Sequence, residues 1–80
     1  MHELGVLCYA VKTVAALAKE QKIRQIKHIT LEVGDDSGYV PYYLHKLFPI
    51  ATEYAPVTKN AELRVITVPG NGLQIKEIGY

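Results

Sequence analysis

The stretch Ile26-Lys27-His28-Ile29-Thr30-Leu31-Glu32-Val33, followed by Gly34-Asp35-Asp36-Ser37-Gly38 and then Val40-Pro41, decides the fold. Ile29, Leu31 and Val33 alternate with His28, Thr30 and Glu32. A period of two predicts a strand with one buried face. The Gly34 to Gly38 run is rich in turn formers and stops that strand. Pro41 then suits the first turn of a helix, where its missing N–H costs nothing. A strand, a turn and a helix start therefore follow one another within sixteen residues.

Reading outward, the segment before this stretch predicts a helix from Glu3 to Gln21. Leu4, Leu7, Cys8, Val11, Val14, Ala15 and Ala18 recur at spacings of three and four and form one apolar stripe. Lys12, Lys19 and Glu20 fall off it, and the alanines between Ala10 and Ala18 favour helix. After Pro41, Leu44, Leu47, Phe48 and Ala51 give a second stripe. Pro49 conflicts with it, because its ring removes the bond to the His45 carbonyl and clashes there. A kink, or two short helices meeting near Phe48, is expected. Tyr54 to Asn60, containing Pro56, reads as a loop.

Two strands close the chain, Glu62 to Val68 and Leu73 to Ile78. Pro69-Gly70-Asn71-Gly72 between them reads as a tight antiparallel connection, since Asn-Gly tolerates positive φ. The expected architecture is α/β (α+β) in the order α-β-α-β-β. A strand–helix–strand unit and a hairpin would make a small three-stranded mixed sheet with two helices on one face. The whole chain, residues 1–80, reads as a single domain.

Composition narrows the function. Nine Lys+Arg against eight Asp+Glu give a net charge of +1, with 49% apolar and 21% charged residues. Such a balance argues against nucleic acid as the partner, since those surfaces concentrate cations. The apolar runs fall well short of the roughly 18 residues a membrane helix needs. Met1-His2-Glu3 carries no basic leader region, and the single cysteine, Cys8, forms neither an internal disulfide nor a thiolate zinc site. The expected location is cytoplasmic.

The most specific chemistry lies in Met1-His2-Glu3. The Met1 amine, the His2 amide nitrogen and the His2 imidazole Nδ1 can close fused chelate rings on one metal. The Glu3 amide, the Glu3 carboxylate or water could supply the fourth corner. Planar nitrogen-rich sites favour Ni(II) or Cu(II); copper wins on raw affinity, so selectivity would follow availability. A histidine at position 2 can equally be an exposed side chain with no role, and the tripeptide alone leaves both readings open.

Other candidates read as structural. His28 and His45 lack ligand-spaced partners and read as surface histidines. Cys8 sits on the apolar stripe and reads as a small hydrophobe. Asp35, Asp36 and Ser37 lack the alternation of a calcium loop and read as a turn. Tyr39, Tyr42 and Tyr43 are either a partner surface or half-buried packing. No nucleophile is paired with a base, so an enzyme is not expected.

Met1-His2-Glu3-Leu4, Leu31-Glu32-Val33-Gly34 and Ser37-Gly38-Tyr39-Val40-Pro41 resemble, in order and spacing, the nickel metallochaperone family of hydrogenase and urease maturation (the HypA/HybF family). Phe48, the run Ala61-Glu62-Leu63-Arg64-Val65 ending at Val68-Pro69, and Leu73-Gln74-Ile75-Lys76-Glu77-Ile78 extend the resemblance over nearly the whole chain. It implies nickel held by the Met1 amine and His2, with Glu3 beside it, and delivery to a maturation GTPase or to apo-hydrogenase or urease. The family also carries a zinc domain with two Cys-x-x-Cys pairs between the last two strands. Here Pro69 to Gly72 takes that place, so no zinc is expected, whether the chain is a zinc-less relative or an excised piece. Gly5 and Pro49 also depart from the family's pattern. A contrasting expectation is a zinc-less paralogue acting as an interaction or dimerisation module, with a homodimer formed by strand addition or domain swapping.

Overall fold

The computed structural model describes residues 2–80. The first helix, α1, spans Glu3–Glu20; of the predicted stripe it buries Leu7, Val11, Val14 and Ala18, with Leu4, Cys8 and Ala15 partly buried, and it also buries Ala10. It stops at Lys22, which takes the left-handed conformation at φ 59°. The Lys22 amide donates to the Lys19 carbonyl (3.3 Å) and the Ile23 amide donates to the Ala18 carbonyl (2.8 Å). This is a Schellman motif, which satisfies carbonyls that the helix end would leave orphaned.

The strand β1, His28–Gly34, buries Ile29, Leu31 and Val33. Each fully buried aliphatic side chain of this kind contributes on the order of 1.5–3 kcal/mol. Thr30, expected on the open face, is also buried; β1 is the middle strand, and Arg64 and Glu77 lie opposite Thr30 on its two neighbours. The helix α2, Pro41–Ala51, begins with its proline in the first turn. It runs through Pro49 without dividing near Phe48. Pro49 lies close enough to the helix end that few turns depend on the lost bond. The chain tightens directly into a 3-10 turn at Thr52–Tyr54, where the Thr52 hydroxyl donates to the Pro49 carbonyl at 2.7 Å. The expected loop after it contains a second 3-10 turn, Pro56–Thr58.

The last strands are β2, Glu62–Val68, and β3, Leu73–Gly79. The mixed three-stranded sheet appears as expected, but the hairpin does not. The strand order is β2-β1-β3, with β2 parallel and β3 antiparallel to β1. Pro69–Gly72 therefore steps across the end of β1 to the opposite edge. The Gly34 amide donates to the Gly72 carbonyl (2.8 Å), and the Asp35 and Asp36 amides donate to the Val68 and Gly70 carbonyls (both 2.7 Å). Positive φ falls on Gly70 and Gly72 at 108° and 94° rather than on Asn71. A bulge in β3 sets Lys76 as the extra residue, where the register passes from Thr30–Glu77 to Leu31–Ile75.

Candidate metal-binding site at the start of the first helix

α1 begins immediately after His2, whose carbonyl accepts the Val6 amide at 3.1 Å. The His2 side chain is exposed. A Cβ built on Gly5 would make only ordinary contact, 3.9 Å from the His2 Cβ, so nothing steric demands glycine at this position. Met1, the first expected ligand, lies outside the described residues.

Glu3 differs from the sequence expectation of a side chain standing beside the metal. It is buried, at 5% exposure, and its Oε2 accepts the Val40 amide at 3.1 Å. Val40 is the residue before α2, so one carboxylate ties the starts of both helices. Helix N-termini carry partial positive charge, which favours a carboxylate there. Burial works against ionisation of this carboxyl, but hydrogen bonds from the Val40 amide and from Glu3's own amide outweigh it. The group is held below its ordinary value. The link spans 37 residues of sequence, and no local pattern announces it.

Among the described residues, no three His, Cys, Asp or Glu side chains come together as a metal cage. Donors at this site would therefore be backbone nitrogens and one imidazole. His45 is exposed on α2. His28, expected at the surface, is only half-exposed: its ring lies over Gly79 on β3, and a Cβ there would overlap it. Its Nε2 is buried without a hydrogen-bond partner, 3.8 Å from the Glu77 carboxylate. Cys8 is half-buried against the core. The Ser37 Oγ accepts the Tyr39 amide at 3.2 Å, a local turn bond, while the Asp35 Oδ1 accepts the Gly70 amide at 3.0 Å from the distant link between the last two strands. The tyrosines divide: Tyr39 packs against the core, while Tyr42 and Tyr43 stand exposed, edge to face with ring centroids 5.5 Å apart.

The family model described as "Hydrogenase/urease nickel incorporation, metallochaperone, hypA" matches residues 1–73. The chain belongs to this HypA family. Among curated relatives, the hydrogenase maturation factor HypA of Trichodesmium erythraeum (strain IMS101) is 36% identical over 72 residues, covering 90% of this chain and 60% of the relative. HypA of Methanosarcina barkeri (strain Fusaro / DSM 804) is 33% identical over 69 residues, covering 86% and 51%. HypA of Legionella pneumophila (strain Lens) is 30% identical over 73 residues, covering 91% and 64%. The chain thus spans between half and two thirds of these HypA proteins' length. The solution structure of the Ni metallochaperone HypA from Helicobacter pylori superposes with a TM-score of 0.87, covering 99% of this chain and 97% of that one. At 15% identity that likeness speaks for the fold alone. No helix of this HypA-family chain, among the described residues, is long and apolar enough to cross a membrane.

Proposed function

We propose that this HypA-family chain binds Ni(II) as cargo and passes it on during hydrogenase or urease maturation. The ligands are the Met1 amine, the His2 amide nitrogen and the His2 Nδ1. The observation that supports this most directly is the exposed imidazole of His2 placed immediately ahead of a helix whose start is pinned by Glu3. Because the Glu3 carboxylate is engaged by Val40, the fourth corner falls to the Glu3 amide or to water, and Glu3 acts as the anchor of the ligand strand. Ligand deprotonation accompanies binding, so affinity rises with pH. The role is binding and transfer, without bond-making chemistry. The receiver is a maturation GTPase or the apo-enzyme itself, in the cytoplasm, and no zinc takes part within residues 1–80.

Nickel titration of the untagged chain tests the site. A planar, diamagnetic Ni(II) species is expected, and His2→Ala or acetylation of the terminal amine should abolish it. Equal binding by the acetylated chain would remove the amine from the ligand set.

The two open sheet edges, β2 and β3, support a second reading as a dimerisation module. Sedimentation separates the readings: a metal-independent dimer that takes up no nickel favours the second.

A further inference from the structure

The cations of this molecule divide into two sets. Arg64 pairs with Glu62, and Lys76 lies 3.8 Å from Glu32. Lys12 lies over the Tyr54 ring and Lys46 over the Tyr42 ring. The five others, Lys19, Lys22, Arg24, Lys27 and Lys59, are all exposed, and among the described residues none has an acidic or aromatic partner. All five belong to one end of the fold. Lys19 and Lys22 close α1, Arg24 and Lys27 lie on the segment leading into β1, and Lys59 follows the Pro56–Thr58 turn. The Ile26 amide ties that segment to the Val57 carbonyl at 3.0 Å.

Between the end of α1 and the Pro56–Thr58 turn lies an open groove of ≈ 400 Å³. Ala15, Ala18, Ile23, Pro56 and Val57 line it, and Lys19 and Arg24 complete its wall. No acidic residue lines it. Of the nearby acids, Glu62 is taken by Arg64, Glu20 does not line the groove, and Glu53 lines the adjoining cavity with Pro56 and Lys59. The helix dipole accounts for Lys19 in the last turn of α1, but not for Arg24, Lys27 or Lys59, which lie outside the helix.

We infer that this groove docks an acidic segment of a partner protein, with aliphatic side chains on the floor and carboxylates on Lys19 and Arg24. Complementary charge would steer the encounter and fix the register, while the apolar floor supplies the buried contact. Nucleic acid fits less well, because it offers no aliphatic side chain to the floor and the net charge of +1 attracts a polyanion weakly. A membrane surface fits less well too, because the apolar residues are recessed rather than protruding. The start of α1 at Glu3 lies roughly 18–24 Å away along the helix, at about 1.5 Å per residue from there to the groove's Ala15 and Lys19. The inference is therefore independent of nickel.

The test uses the full chain and a fluorescein-labelled amphipathic peptide of Glu and Leu, read by anisotropy. Binding is expected, weakening with added salt, and falling about tenfold or more in Lys19→Glu/Arg24→Glu. Lys46→Glu and His2→Ala should bind it like the parent chain. A Glu/Ser peptide of the same charge should bind about tenfold more weakly than the Glu/Leu peptide, because the floor is then unfilled. Shift mapping on the labelled parent chain should place the peptide at residues 15–24 and 56–59, which keeps the test decisive should the double variant fail to fold. The inference is overturned by unchanged affinity in the folded double variant, by equal binding of the Glu/Ser peptide, or by shift changes concentrated elsewhere. Stronger binding of phosphatidylserine vesicles or single-stranded RNA than of the peptide would overturn it as well.

Discussion

Glu3 accepts the Val40 amide with its carboxylate and so ties the start of α1 to the residue before α2. In the sequence it stands beside His2 and carries a carboxylate, so it reads as a metal donor. In the fold its Oε2 holds the Val40 amide, and the side chain is buried. Glu3→Ala leaves that amide without its acceptor, so the melting temperature should drop and exchange of the Val40 amide should quicken. Glu3→Gln keeps an acceptor oxygen and should recover most of both. If the carboxylate is a tie rather than a ligand, Glu3→Gln should also retain nickel binding, read by the same titration that tests His2. His28 makes the same point from the other side. Its register predicts exposure, yet the absence of a side chain on Gly79 lets the ring settle across the strand pair.

At the scale of elements, the helices were legible because their apolar spacing is regular over many residues. The ends were less so. The helix end expected at Gln21 falls at Glu20, but the device that stops it was not legible: Lys22 holds the left-handed position that glycine usually fills. Left-handed backbone strains a residue with a Cβ. Lys22→Gly should therefore stabilise the chain by about 0.5–1 kcal/mol, a rise of several degrees in Tm by calorimetry. Pro49 was expected to kink or divide α2 because the penalty for proline is usually assessed in a helix interior. Its place near the helix end, followed at once by a 3-10 turn, leaves little helix to break.

At the scale of the molecule, strand order is where the sequence reading failed, because it expected a hairpin between β2 and β3 and the order is β2-β1-β3. Pro69-Gly70-Asn71-Gly72 can close a hairpin or cross one strand end with equal ease. Its reach is about 13 Å, and crossing one strand takes roughly 10 Å. The structure takes the second course, and the crossing presses the link against Gly34. A Cβ at Gly34 would overlap the Gly70 carbonyl. Gly34→Ala should cost about 2 kcal/mol or more, a fall of roughly 10 °C in Tm, whereas a hairpin joining β2 to β3 would leave position 34 tolerant. A thermal melt of the variant measures this directly.

The sequence by itself determined the helices and strands, their order and most of the apolar faces, because periodicity is a local property of a chain. Tertiary structure alone decided that β1 lies in the middle, that Glu3 serves Val40, and that Lys19 and Arg24 flank one apolar groove. Each of these depends on which distant segments share space, and that is settled by burying a common core rather than by neighbouring residues.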